Sequence, residues 1–159
     1  MGKRVVVIGV GNILLRDDGV GIHVVRALVD EVAIDDRWVS VYECGTLGLQ
    51  ILDYLDGADC VVIVDAVRSG KPPGAVSRFL IDQSRLKDPE DLQSMHQVDV
   101  LATLSLGRGM VRLPDRIVVV GVEPSDVSLG LDLSDAVKGS VQDAVQLVLD
   151  ELGFAQQGG

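Results

Sequence analysis

Four carboxylates and one imidazole stand where apolar runs give way to polar loops. Asp17 and Asp18 close the loop that follows the run Arg4–Gly9, Glu43 ends the run Trp38–Glu43, and Asp65 ends the run Cys60–Asp65 (CVVIVD). His96 opens a helical stretch after a polar segment. A carboxylate at the end of an apolar strand is costly to bury unless it is paired or bound to a cation. For Asp65 the other outlet is a set of hydrogen bonds from neighbouring loop N–H groups. For Asp17 and Asp18 the plain use is at a helix N-terminus, worth about 0.3–1 kcal/mol against the dipole. One aspartate suffices for that, which leaves its neighbour to face the crevice. Asp18, Asp65 and His96 together offer two oxygens and one nitrogen. That donor set suits a borderline divalent ion such as Ni²⁺ or Zn²⁺ with open coordination positions. The three lie far apart in the chain, so only a fold can join them. His23, the other histidine, lies five residues beyond Asp18 in a helix, out of facing register with it, and reads as a surface or groove residue. Glu43 would bind a ribose in a nucleotide site or act as general base in a hydrolytic one.

Other chemistries are missing. The chain has no GxSxG elbow and no HExxH. Cys44 and Cys60 form no CxxC pair, so they make neither a metal knuckle nor a disulfide framework, which fits a reducing compartment. The turn Gly9-Val10-Gly11-Asn12 invites a dinucleotide fingerprint, with Glu43 as its ribose acid. That alternative, a nucleotide-binding module, fails at the third glycine, where Leu14 stands, and the helix begins several residues late. With 14 Lys and Arg against 24 Asp and Glu, the net charge is −10. Neutralising phosphates needs clustered basic residues, so nucleic acid is excluded as a partner, and so is an anionic membrane face. No apolar stretch reaches the roughly 18 residues of a membrane span. The apolar run Val5–Val10 is shorter than the roughly 7–15 residues of a signal-peptide core, which points to a cytoplasmic protein.

These residues need elements to hold them. Arg4–Gly9, Trp38–Glu43, Cys60–Asp65, Val76–Ile81 and Arg116–Val122 read as strands. The first, third and last are apolar throughout, as parallel strands covered on both faces are. Gly19–Val32 is helical, with Val20, Val25, Leu28, Val29 and Val32 inward. Thr46 reads as the N-cap of a short helix carrying Leu47, Ile51, Leu52 and Leu55 and stopped by Gly57. The Arg68–Gly74 connection is too short for a crossover, so Val76–Ile81 is expected antiparallel to its predecessor. Asp82–Met95 reads as loop. His96–Leu106 is helical, with Val98, Leu101 and Leu104 inward. Ser134 caps one terminal helix with Val137, Val141, Ala144, Val145, Val148 and Leu152 on a single face. With 159 residues, 47% of them apolar and only five aromatic, Val, Leu and Ile must fill the core. The order predicts one α/β domain over 1–159, its ordered core about 4–153. Its architecture is a three-layer α/β/α sandwich around a mostly parallel, twisted five-stranded sheet. In such folds the site lies outside the carboxyl ends of the strands.

Several segments carry a resemblance. GVGNILLRDDGVG at 9–21, ECGTLG at 43–48, VVIVDAVRSGKPPG at 61–74, MHQVDVLATL at 95–104, and IVVVGVEP with LGLDLSDAV within 117–137 resemble the nickel–iron hydrogenase maturation endopeptidases. The match runs in order from residue 4 to about 150. The resemblance implies removal of a short C-terminal peptide from the hydrogenase large-subunit precursor after nickel has entered it. It implies a metal-binding triad at Asp18, Asp65 and His96, the same residues reached above. The nickel is that of the substrate, at a site open to other divalent ions in the free protein. Glu43 is the further acid, a candidate general base. Many members have Asp-Gly-Gly-Thr there, where this chain has Glu-Cys-Gly-Thr. Asn12, Asp17, Gly45 and Thr46 are expected to contact substrate. A peptidyl-tRNA hydrolase also begins with a strand and a GxGN turn, but it continues with proline and glycine where this chain has Ile13-Leu14. Oligomeric state is not legible in the residues.

Overall fold

The computed structural model describes residues 2–45, 51–85 and 95–157, and the side chains of all of these except 85, 95–99 and 101. Five strands form one sheet in the order β2-β1-β3-β5-β4: β1 Val5–Val10, β2 Val39–Cys44, β3 Cys60–Ala66, β4 Val76–Leu80 and β5 Arg116–Val122. β1 is parallel to β2 and β3, and β3 to β5; β4 runs antiparallel to β5, as the short Arg68–Gly74 connection requires. The central strands β1 and β3 are buried along their whole length. Their unbroken β-branched runs are the consequence, since both faces are covered.

Alternation along the strands divides the core in two. On one face Val5, Val7, Val62 and Val64 pack against α1 (Val20–Glu31), α4 (Asp135–Lys138) and α5 (Val141–Gln157). On the other, Val6, Ile8, Val61 and Ile63 pack against α2 (Ile51–Leu55) and α3 (Met95–Gly107). The three-layer sandwich expected from element order is therefore present. Among the described residues no helix is long and apolar enough to cross a membrane.

Some local expectations change. Val29 is half exposed rather than inward, because the buried stripe of α1 follows Val20, Val24, Val25 and Leu28. In α3 the described buried face is Val100, Thr103 and Leu104; Val98 and Leu101 lie outside the described side chains, as do Thr46 and Leu47. Gly57, at φ +77, ends α2 as expected. The terminal helix is two helices, broken at Gly139 and Ser140, with the Ser140 hydroxyl donating to the carbonyls of Gly74 and Ala136. That bond ties the break to the loop before β4.

The glycines of 9–21 serve packing. A Cβ at Gly21 would stand 2.1 Å from the Val64 carbonyl and 2.5 Å from that of Val10, so the first turn of α1 lies against the backbones of β1 and β3. Gly11, at φ +137, lets the loop turn under Asp18, whose carbonyl a Cβ would meet at 1.9 Å. The helix starts at Val20, nine residues beyond Gly11, so its N-terminus does not follow the GxG turn as a dinucleotide site requires. Gly21→Ala meets two fixed backbones and is expected to cost about 3 kcal/mol, lowering the melting temperature by roughly 6–12 °C in a thermal unfolding scan.

Candidate active site

β1 sends its chain to β2 on one side of the sheet, and β3 leads to the strands on the other. Ligand crevices of open α/β sheets lie at such a reversal. The loop after β1 ends in a 3₁₀ turn, Arg16–Gly19, which packs against β3. Neither aspartate of that turn caps α1 by its side chain. They have separate jobs.

Asp17 has no exposed surface. Its carboxylate accepts from Ser125 N (2.9 Å), Asp126 N (2.8 Å), Ser134 N (2.8 Å) and Ser134 Oγ (2.7 Å). Burial opposes its ionisation, but these donors outweigh burial and hold its pKa below the ordinary carboxylate value. Backbone bonds run alongside: Asp17 N to Asp126 O, Arg16 N to Gly130 O, and Gly130 N to Leu14 O. The expectation that Asp17 contacts substrate is corrected here. It is an internal anchor joining the 3₁₀ turn to the 125–134 loop. Ser134 stands at the N-cap of α4 as expected, but its hydroxyl donates to Asp17 and makes no cap bond to the helix.

Asp18 is partly buried, and its Oδ2 accepts from Asn12 N at 2.9 Å. Asn12 in turn takes Leu14 N on its own Oδ1, so the two residues shape the loop. Asp65 is 5% exposed and accepts from Ala66 N at 2.8 Å. Alternation along β3 turns its side chain to the face that α2 and α3 cover. α3 packs against α2 and precedes β5 in the chain. Its 13 residues span about 20 Å, close to the height of the strands. Its first turn carries His96. The side chain of His96 lies outside those described. Among the described residues no three His, Cys, Asp or Glu side chains gather to hold a metal.

Beside these residues opens a crevice of about 500 Å³, lined by Gly11–Leu14, Ile22, Arg26, Glu43 and Gly45. Asn12 and Gly45 thus both face it, and Thr46 lies outside the described residues. Glu43 is half exposed and forms a bidentate pair with Arg26, at 2.7 Å from Nε and 3.1 Å from Nη2. The Arg26 bonds hold the Glu43 carboxyl below its ordinary pKa, which makes it a weaker proton acceptor. Glu43, the candidate general base, stands on the crevice wall with Arg26 as its ion-pair partner. Burial pushes the Cys44 thiol up, away from a nucleophilic thiolate.

Two features escaped the sequence reading. Arg26 follows Ile22 by one helical turn, so the pattern that placed Ile22 at the crevice could have placed it there too. Glu123, just past β5, is 8% exposed, and burial works against its charge. The N–H groups of Ser69, Gly70 and Lys71 and the Ser69 hydroxyl outweigh that and hold its pKa low. It organises the loop beyond β3 as Asp17 organises the loop beyond β1.

A family model described as hydrogenase maturation protease (HycI) matches residues 22–151. The Escherichia coli protein named hydrogenase 2 maturation protease is 30% identical over 149 residues, 94% of this chain and 90% of that one. The solved structure of the hydrogenase maturating endopeptidase HybD from E. coli superposes with a TM-score of 0.84 at 29% identity, covering 96% of this chain and 93% of that one. The [NiFe] hydrogenase maturation protease HybD from Thermococcus kodakarensis gives a TM-score of 0.73 at 28% identity, with 94% and 99% covered.

Proposed function

Because this chain belongs to the hydrogenase maturation protease family, whose members are peptidases, we propose that it removes a C-terminal peptide from a nickel-loaded [NiFe]-hydrogenase large-subunit precursor. In this reading Asp18, Asp65 and His96 engage the nickel that the precursor already carries. Only a metal-loaded precursor is then held in register for cleavage. The observation that supports the reading is the packing of the 3₁₀ turn that carries Asp18 against β3, whose last residues include Asp65; His96, on α3, is their proposed partner. Two oxygens and one nitrogen match a borderline divalent ion and leave positions for the substrate's own ligands.

Cleavage is hydrolysis. Water adds to the scissile carbonyl, the C–N bond breaks, and the departing amine takes a proton. No serine or cysteine of activated type faces the crevice, and Cys44 is held as a thiol. Activation of the water would come from the Lewis acidity of the substrate's nickel or from Glu43 acting as base from its place on the crevice wall. Asn12 and Gly45 line the path of the peptide. Leu14, Leu129 and Leu131 stand exposed on the paired 12–16 and 126–132 loops, an apolar rim suited to a protein substrate. The two free cysteines fit work in the reducing cytoplasm.

The test is incubation with nickel-loaded and with nickel-free precursor, followed by mass measurement of the products. Release of one C-terminal peptide from the nickel-loaded form alone is expected. Release from both forms would remove nickel recognition, and release from neither would remove the cleavage itself.

A further inference from the structure

β2 is an edge strand, and its outer side is open among the described residues. Val5 N–H donates to the Trp38 carbonyl and Gly11 N–H to that of Cys44. In a parallel ladder every second residue turns both of its backbone groups to the neighbouring strand. Trp38, Ser40, Tyr42 and Cys44 therefore face β1, while Val39, Val41 and Glu43 face outward. Asp35 O takes the Val39 N–H at 3.0 Å. Val41 and Glu43 keep outward N–H and C=O groups with no backbone partner among the described residues.

A groove runs along this edge. The crevice bounded by Arg26 and Glu43 continues into a cavity of about 370 Å³ lined by those same residues with Val29 and Val41. Val29 and Val41 then border a third cavity of about 550 Å³, which reaches Ala33 and Ile34. One trough thus follows the six residues of β2, about 20 Å, and opens into the candidate active site. Its walls set the apolar Val29, Val41 and Ile34 beside the charged Arg26, Asp30, Asp36 and Glu43, and its backbone groups recur every second residue.

We infer that this edge binds an extended segment of the polypeptide substrate as a sixth strand, delivering it to the crevice; the inference rests on the peptidase reading above. An extended chain pairs its own N–H and C=O groups with those of Val41 and Glu43. Alternate apolar side chains enter beside Val29 and Val41 and beside Ile34. A second copy of this protein is disfavoured on the same edge. The chain carries a charge of −10, and Asp30 and Asp36 stand on the trough, so two copies repel one another as these edges approach. The trough shares Arg26 and Glu43 with the crevice, the site where a substrate segment must arrive.

Val41→Pro removes the outward N–H without breaking a bond to β1, and proline is tolerated on an edge strand in that position. The expected result with nickel-loaded precursor is a KM raised about tenfold with kcat and melting temperature unchanged. Val29→Glu, on the half-exposed face of α1, is the second variant and is expected to act in the same direction. In the wild-type protein, a synthetic peptide copying the precursor's C-terminal segment should slow hydrogen exchange at the Val41 and Glu43 amides. Unchanged KM in both variants, with unaltered exchange, overturns the edge while leaving the peptidase reading standing. Failure of the wild type to release peptide defeats the peptidase reading, and amide exchange with the peptide still decides the edge. Protection that grows with protein concentration in the absence of peptide assigns the edge to self-association and overturns the proposal.

Discussion

Asp18→Asn and His96→Ala are each expected to abolish peptide release from nickel-loaded precursor, a loss of at least about 10²-fold, and to leave the fold intact. The size follows from what the two groups are asked to do. A three-point clasp on a metal loses register when one donor is removed, and the scissile bond is then no longer presented to the crevice. Asp18 is partly buried on a loop, with one hydrogen bond, from Asn12 N. An amide oxygen at the same place still accepts that bond, so Asp18→Asn removes charge and metal affinity while leaving the loop tied. Asp65→Asn should behave alike, since the Ala66 N–H bond is likewise available to an amide oxygen. The measurements are product mass over time, with circular dichroism and thermal melting of each variant. Full processing by both Asp18→Asn and His96→Ala would dissolve the triad, whatever the stability data say.

Asp17→Ala, one residue earlier, has the opposite signature. Four donors, two of them on a residue 117 positions away, lose their acceptor in a site with no exposed surface. The expected cost is about 3–5 kcal/mol, or a melting temperature lower by roughly 6–20 °C. Catalysis by the fraction that remains folded should be far less affected than in Asp18→Asn. The same carboxylate sets an acid limit. Its folded pKa lies below the ordinary 3.8, so its stabilisation is complete above that value and is lost as pH falls through the folded value. Glu123, also held low, adds to the loss in the same direction below its ordinary 4.5. Wild-type stability should therefore fall steeply below about pH 4, and the slope should flatten in Asp17→Ala. Denaturant titrations across pH 2–6 check both statements.

The strands were legible because their signal is local. Val5–Val10 and Cys60–Ala66 are β-branched runs that only a doubly covered strand explains, and the structure shifts their ends by a residue. The single-face helix pattern at 134–152 was also correct in its buried set, Val137, Ala144, Val145 and Val148. It missed the break at Gly139 and Ser140, because that break answers to Gly74, some 66 residues away. Val29 was misplaced for a related reason. It fits the periodicity of α1, but α1 crosses the sheet beside an edge strand, so nothing lies beyond to cover it.

By itself the sequence determined the layers, the strands and the acids at their carboxyl ends. Those follow from short-range hydrophobic patterning and from the cost of placing charge beside apolar runs. Only the tertiary structure decided which of two adjacent aspartates is the internal anchor, that Glu43 is paired with Arg26, and that β2 keeps an open side beside the crevice. Each of these depends on a contact between residues 17 to 117 positions apart, or on which strand ends the sheet. Adjacent side chains of one type look alike along a chain. They differ only in what the fold sets against them.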